Sequence, residues 1–183
     1  MLDLSFRRIA KYTDERKEIE AFIRKHEHLG SIPAIPKRYF EAREGNKIVS
    51  AIITAEPNGI HRGILGADKQ EIECLIARGA TIAGYKNAPS WIISRVIKWH
   101  LRNTNQRVFI GYADTKKFGE MGIVYQACGF RYLGNNWGSG NQRSLAKKKY
   151  ALIKGRTKKE AKALNTLFEQ VNPSLIDLPY PID

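Results

Sequence analysis

The segment at residues 112–134, YADTKKFGEMGIVYQACGFRYLG, constrains the fold of this chain more than any other stretch. A β-rich run leads into an acid, Asp114, and a run with helical spacing follows, with Tyr125 in its middle. A Gly-Phe step, Gly129 and Phe130, then opens another short strand. A strand, a helix and a second strand in this order indicate an α/β fold.

The rest of the chain predicts the same class. At 183 residues it is long enough to bury a core without a metal or disulfide. We predict a mixed central sheet flanked by helices, with residues 1–140 as the catalytic domain and 141–183 as a basic C-terminal segment packed on it. The predicted strands are 4–9, 38–43, 47–54, 71–76, 108–112, 131–133 and 147–153, with Glu44-Gly45-Asn46 as a hairpin turn. The predicted helices are 13–25, 87–102, 120–128 and 158–171. The second helix is expected to bury Ile92, Ile93, Val96, Ile97 and Trp99.

Charge gives the first indication of a partner. Lys and Arg number 31 against 18 Asp and Glu, a net charge of +13, which favours a polyanion such as nucleic acid. The alternative is an ordinary soluble basic protein.

Cys74 and Cys128 lie in apolar runs and are expected in the core. His26 and His28 read as exposed loop residues, and four histidines without ligand spacing make a weak metal case. No signal peptide or membrane span is predicted, so a cytoplasmic protein is expected.

The positive charge is densest at residues 142–162, where nine Lys or Arg accompany one acid, Glu160. Such side chains neutralise phosphates in a sequence-independent way, and Trp137 and Tyr132 could stack on an extruded base. A solvated surface is the alternative. The predicted nucleic-acid contacts are Trp137, Arg143, Lys147, Lys148, Lys149, Lys154, Arg156, Lys158 and Lys159.

Tyr125 and Asp114 are the candidate catalytic residues. Tyrosine has a higher ordinary pKa than a thiol, so Tyr125 can protonate a departing thiolate. Asp114 follows a strand, where ligands gather in open α/β sheets, and can orient or deprotonate an amine. A core aromatic residue and a turn aspartate are the respective alternatives.

A phosphate site is expected before the helix at 87–102. Asn87-Ala88-Pro89-Ser90 reads as a helix start, and the free N–H groups of a helix N-terminus suit a pyrophosphate. Arg78, predicted to follow a strand, and Lys86 could add charged contacts. The predicted cofactor-binding residues are Arg78, Lys86, Asn87 and Ser90. Gly79 and Gly84 are expected in this loop, but the R-x-x-G-x-G sequence usual in Gcn5-related acyltransferase (GNAT) domains is absent.

With these residues placed, the chain resembles the Mom-like phage DNA-modification proteins, a divergent branch of the GNAT acyltransferases. The specific part of the resemblance is G-I-V-Y-Q-A-C-G-F after the Ala-Asp strand end. The pieces that share the family's spacing are His28, Pro57, Arg78, Asn87-x-x-Ser90 and Ala113-Asp114. Leu29 stands where the family usually has tyrosine.

The resemblance implies an activity and a set of residues. In that family the N6 amine of adenine in double-stranded DNA receives a small acyl-type group (acetamido or methylcarbamoyl), which protects phage DNA from restriction. Asp114 and Tyr125 would be catalytic, and Arg78 and His28 would serve catalysis or binding. The donor would be acetyl-CoA or a related acyl compound, and the residues do not decide whether a metal is needed.

Two alternatives stay open at the level of sequence. One is a GNAT N-acetyltransferase acting on a protein, tRNA or small amine, which would bind acetyl-CoA without salt-dependent affinity for DNA. The other is a catalytically inactive GNAT-like module that only binds nucleic acid.

Overall fold

The structure is a computed structural model that describes residues 3–57, 72–112, 122–132 and 167–171. These residues form seven strands and three helices. In chain order the elements are β1 (Ser5–Ile9), α1 (Asp14–His26), β2 (Pro36–Glu44), β3 (Lys47–Ala55), β4 (Glu73–Thr81), α2 (Ala88–Asn103), β5 (Val108–Tyr112), α3 (Ile123–Ala127), β6 (Arg131–Tyr132) and β7 (Leu167–Val171). The chain divides into two compact units, residues 1–56 with 76–100, and residues 57–75 with 101–183.

The first unit is built on β1, β2, β3 and β4, which are neighbours in that order. β1 pairs antiparallel with β2, and β2 with β3 across a two-residue hairpin turn. Gly45 adopts a φ of +55° in that turn, a backbone conformation in which glycine has no Cβ penalty. The hairpin predicted from Glu44-Gly45-Asn46 is confirmed.

The two helices of this unit cover opposite faces of its strands. Successive strand residues point to opposite faces, and Tyr39 and Phe40 illustrate this alternation. Tyr39 belongs to a buried cluster with Ile19 and Ile23 of α1, whereas Phe40 contacts Trp99 and His100 of α2. A slip of one residue in the strand pairing would move every side chain of a strand to the opposite face of the sheet. Because each face buries its own set of apolar side chains under a helix, burial fixes the register of the strands.

In the second unit the strands β5, β7 and β6 are neighbours in that order. β7 pairs antiparallel with both β5 and β6. Residues 167–171 are therefore a strand, and the predicted helix at 158–171 is wrong for this part. Leu-Phe-Glu-Gln-Val is too short to distinguish the two states by its own pattern, and pairing with β5 decides for the strand. The rest of that predicted helix and the predicted strand at 147–153 lie outside the described residues.

Three further predictions need correction. β4 continues to Thr81, five residues beyond the predicted end, because its second half is held by the neighbouring strand: the Ser50 hydroxyl donates to the Ala80 carbonyl at 2.9 Å. α3 starts at Ile123, because Gly122 before it is in the left-handed region with a φ of +62°. His26 is exposed as predicted, but it is the last residue of α1 and not a loop residue, and its ring lies 4.7 Å from the Phe22 ring.

The core also differs in one residue from the prediction for α2. Ile92, Ile93, Val96 and Ile97 are buried as expected, but His100 is fully buried and Trp99 only half-buried. The predicted burial of Cys74 and Cys128 as free thiols is confirmed.

Candidate active site

Tyr125 is fixed by the way in which α3 ends. The N–H of Gly129 donates to the Gln126 carbonyl and the N–H of Phe130 donates to the Tyr125 carbonyl, both at 3.0 Å. With Gly129 in the left-handed region at a φ of +76°, these two bonds form a Schellman motif. The apolar contact that commonly accompanies the motif is also present, since the rings of Phe130 and Tyr125 lie 5.2 Å apart. The Gly-Phe step thus stops the helix and packs a buried aromatic ring against Tyr125.

The ring of Tyr125 also lies directly against the backbone of β5. A Cβ on Gly111 would stand 2.5 Å from Tyr125 Cζ and 2.9 Å from Cδ1, and it would clash with Cε1 as well. Only glycine leaves room for this approach. A glycine inside a strand is a general sign that another group comes close. We missed Gly111 in the sequence, although this signal was available there.

Tyr112 is the second tyrosine of this cluster and was also missed. Burial raises the pKa of Tyr112, and the nearby Tyr125 raises it further. The phenol of Tyr112 therefore stays protonated and uncharged at neutral pH. Asp114 is two residues beyond the end of β5 in sequence and lies outside the described residues. Its proposed role stays a prediction.

In the first unit, Arg78 holds the loop that follows α1. Its position inside β4 corrects the prediction that it follows the strand. Its Nε donates to the Ser31 carbonyl at 3.0 Å, and one terminal nitrogen donates to the Ser31 hydroxyl at 2.9 Å. A planar guanidinium makes such two-point contacts readily, which a lysine ammonium cannot reproduce. Arg78 therefore ties β4 to the loop that contains His28.

The turn at His28 is held from a second side by Glu27. One carboxylate oxygen of Glu27 accepts the backbone N–H groups of Leu29 at 2.8 Å and Gly30 at 3.0 Å. The other oxygen lies 3.8 Å from Nδ1 of His28, whose side chain is about 28% exposed. His28 thus stands at the tip of a turn whose backbone is fixed at both ends, with part of its ring open to solvent.

The connection between β4 and α2 is the candidate phosphate site. Gly84 has a φ of +95°, and a Cβ there would meet nothing within 4 Å. Within the described structure, no hydrogen bond occupies the backbone N–H of Gly84, Lys86 or Asn87. The first turn of α2 offers less, because Pro89 has no N–H and the Ala88 N–H donates to the Tyr85 carbonyl at 3.0 Å. An anion would therefore be held mainly by the loop.

The predicted cofactor residues do not all stand in this loop. Lys86 and Asn87 are exposed and precede α2, which begins at Ala88 as the capping pattern indicated. The hydroxyl of Ser90 donates to the Asn87 carbonyl at 3.1 Å and supports the helix start. Arg78 belongs to the strand and bonds Ser31 instead. Gly79, also read as a loop glycine, lies in β4.

The described residues set limits on other kinds of site. Nowhere in residues 3–57, 72–112, 122–132 and 167–171 do three His, Cys, Asp or Glu side chains come together in a way that could hold a metal. Among the helices in these ranges, none is long and apolar enough to cross a membrane. The predicted nucleic-acid contacts, Trp137, Arg143, Lys147, Lys148, Lys149, Lys154, Arg156, Lys158 and Lys159, all lie outside the described residues.

Solved structures with a similar fold are acetyltransferases. An N-acetyltransferase from Staphylococcus aureus Mu50 matches with a TM-score of 0.53 at 9% identity, over 93% of this chain and 99% of that one. A GNAT family acetyltransferase from Elizabethkingia anophelis with acetyl-CoA bound gives 0.52 at 10% identity, over 91% and 95%. The ribosomal-protein-S18-alanine N-acetyltransferase from Escherichia coli gives 0.51 at 8% identity, over 91% and 90%. At such identities the likeness is one of fold, and it confirms the predicted GNAT-like α/β architecture.

Sequence comparison gives the family. No curated protein sequence matches. The model of the Mom protein family matches residues 80–175, just over half of the 183 residues. The matched range contains Tyr125 and the loop before α2, whereas His28 and Arg78 precede it. The resemblance that the sequence indicated is confirmed: the chain belongs to the Mom protein family.

Proposed function

We propose that this protein is an acyltransferase-like enzyme that modifies DNA. It would transfer a small acyl-type group, acetamido or methylcarbamoyl, to the N6 amine of adenine and so protect phage DNA from restriction. Membership of the Mom family, the GNAT fold and the net charge of +13 support this proposal.

The observation that carries the proposal is the fixed position of Tyr125 against Gly111. A general acid has to be held close to the atom that it protonates. The ordinary pKa of tyrosine is about 10 and that of a thiol about 8.5, so a tyrosine is a suitable group to return a proton to a departing thiolate. Tyr125 is near enough to Tyr112 to raise the pKa of that phenol, which stays neutral and adds no charge to repel a developing anion.

A donor of the acyl-CoA type fits the loop before α2. The N–H groups of Gly84, Lys86 and Asn87 suit phosphate oxygens, and the exposed Lys86 adds a positive charge. This arrangement replaces the missing R-x-x-G-x-G loop with other backbone donors. When bound, the donor supplies an activated acyl carbon, and the protein holds its phosphates and protonates its leaving group.

The remaining roles concern the acceptor. Asp114 would orient the amine or take its proton as the new C–N bond forms. His28 would contact the substrate from its fixed turn. Arg78 is better suited to positioning, because its guanidinium is engaged by Ser31. The segment at 142–162 would hold the DNA through its phosphates while a base is turned outward.

The test is chemical analysis of DNA. Genomic DNA from cells that express the protein would be digested to nucleosides and examined by mass spectrometry. We expect a modified deoxyadenosine with wild-type protein, and a loss of about 10²–10⁴-fold in its rate of formation with Tyr125→Phe, the usual contribution of a general acid. Tyr12→Phe, at a tyrosine that is 88% exposed, is the matched control and should retain full activity.

Other results would identify the alternatives. Absence of any new nucleoside, with retained acetyl-CoA binding and acetylation of a protein, tRNA or small amine, would mean a GNAT N-acetyltransferase. DNA binding that is unchanged in Tyr125→Phe and Asp114→Ala, with no activity to lose, would mean an inactive binding module.

A further inference from the structure

A second basic surface lies in the first unit, far in sequence from residues 142–162. It is formed where α2 covers β1 and β2, and we call it the α2 basic surface. Its cations are Arg8, Arg38, Arg95 and Lys98, and its aromatic residues are Trp91 and Trp99. Phe40 anchors it, since the Trp99 ring lies 5.2 Å from the Phe40 ring.

Two tryptophans hold the three arginines of this surface in place. The guanidinium carbons of Arg8 and Arg38 each lie 5.7 Å from the centre of the Trp99 ring. Arg95 stacks on Trp91 at 3.7 Å. A guanidinium on an indole ring keeps its N–H donors at the edge of the plane, available to a ligand. These arginines are therefore ordered before any ligand arrives, which reduces the entropy lost on binding.

The cations that α2 contributes to the surface are not balanced by acids on the same helix. The α2 sequence APSWIISRVIKWHLRN contains no Asp or Glu. Over the part of the chain that the structure describes, Arg8, Arg95 and Lys98 form no ion pair. Arg7, the neighbour of Arg8 on the same strand, points to the other face and contacts Glu15 and Glu41. Cations that were needed only for solubility would not require ordered stacking on aromatic rings.

The helix arranges its cations in a row. Arg95 and Lys98 are three residues apart and lie on one side of α2, about one 5.4 Å turn from each other. The buried side of α2 is its other side, with Ile92, Val96 and His100. A helix surface that presents the ordered Arg95 and the exposed Lys98 on one side suits an extended polyanion better than a small anion that needs an enclosing pocket.

We propose that the α2 basic surface binds the sugar–phosphate backbone of double-stranded DNA. The proposal rests on the proposed function, because it takes DNA as the substrate, and it adds a contact that residues 142–162 do not provide. Contacts of this kind fix the position of a duplex and carry no direct sequence information. The surface would hold flanking DNA and leave the recognition of the target base to the catalytic residues.

The test is the salt dependence of binding to a fluorescent DNA duplex of mixed sequence, measured by anisotropy. Each lost phosphate contact reduces the slope of log K against log salt by about 0.9. The slope is negative, and the triple variant Arg8→Gln, Arg95→Gln, Lys98→Gln should therefore reduce its magnitude by about 2 to 3. The control triple Lys17→Gln, Arg24→Gln, Lys25→Gln removes the same charge from exposed positions of α1 and should leave the slope unchanged.

Folding is checked with charge-preserving changes. Arg8→Lys with Arg95→Lys keeps both cations and should keep most of the slope, and circular dichroism should show the same fold for all variants. Equal slopes for the two triples would overturn the proposal, because only the total charge would then matter. A slope that falls for an RNA duplex and not for DNA would overturn the assignment to DNA.

The proposed function is tested separately by the nucleoside analysis. If wild-type protein forms no new base but the α2 triple loses its salt slope, the surface stands and the DNA-modification function fails. If wild-type protein modifies DNA and the α2 triple binds and modifies it equally well, the surface fails and the function stands.

Discussion

The two units hold their important side chains by different means. On the α1 face of the first unit, Glu41 is fully buried and one of its oxygens accepts Arg7 Nε and Arg43 Nε, both at 2.8 Å. In the second unit, two glycines make the position of Tyr125 possible. Gly111 has no side chain, so the ring can lie against the backbone of β5, and Gly129 allows the backbone to turn at the end of α3. The first arrangement depends on charge, the second on shape.

This difference predicts how each region responds to change. An ion-pair network loses one contact at a time, and Arg7 and Arg43 keep second partners in Glu15 and Glu18. The approach of the Tyr125 ring to Gly111 has no second contact that could replace it, because one methyl group added at residue 111 would overlap the ring. We therefore expect a sharp loss of activity in the second unit and graded losses of stability in the first.

The largest effect is expected for Gly111→Ala. Its new methyl group would displace Tyr125, so the formation of modified nucleoside should fall by about 10²-fold or more, as for loss of a general acid. Overpacking of this kind usually costs about 1–3 kcal/mol of stability. The matched control is Gly79→Ala in β4, where a Cβ would lie 3.7 Å from Ile52 Cγ1, an ordinary contact. Full activity in Gly111→Ala would show that the ring position does not matter.

The next effect in size is expected for Glu41→Ala. Removing the buried carboxylate takes one partner from each of Arg7 and Arg43, and the loss of hydrogen bonds to a charged group costs about 1.5–3 kcal/mol. The measurement is the midpoint of urea unfolding. Glu56→Ala is the control, since Glu56 is 63% exposed and pairs with Lys37 at the surface. A loss that matched the control would mean that the network adds nothing.

A smaller contrast separates the two neighbours Arg7 and Arg8. Arg7→Gln should cost about 1 kcal/mol, because its side chain is partly exposed and Arg43 still serves Glu41. Arg8→Gln should change stability by less than about 0.5 kcal/mol, as surface substitutions usually do. Its effect should be on the salt slope of DNA binding instead. The reverse pattern in the two assays would mean that the faces were wrongly assigned.

The smallest effect is expected at high pH. Burial, and next the hydrogen bond to Glu20, raises the pKa of Tyr39 to about 12 from 10.0. The folded protein therefore keeps a proton that the unfolded chain releases, so this contribution is present below pH 10.0 and is lost as pH rises to about 12. Tyr39→Phe should flatten the decline in unfolding free energy over this interval. An unchanged decline would assign it to other groups.

Local patterns were enough to predict most of the first unit. The alternation in β2 and β3, the Gly45-Asn46 turn and the Pro89 helix start are all decided by neighbours in sequence. Predictions failed where distant residues decide. β4 extends through Arg78 because Ser50 and Val49 bond its far end, and residues 167–171 form a strand because β5 pairs with them.

The candidate site was predicted in part for the same reason. Tyr125 and the Gly-Phe step were visible because they are adjacent, and the Schellman motif explains why they occur together. Gly111 and Tyr112 are more than ten residues earlier, and only the fold brings them to the tyrosine. The sequence likewise could not show that Ser31 takes the guanidinium of Arg78, since 47 residues separate the two.

The contact between Gly111 and Tyr125 also decides when the ordering of the tyrosine takes place. A free tyrosine side chain rotates among several conformers, and confining it reduces its entropy. Because Phe130 and the bare backbone of β5 already confine the ring, that loss occurs once, during folding. None of it has to be repeated at each encounter with substrate.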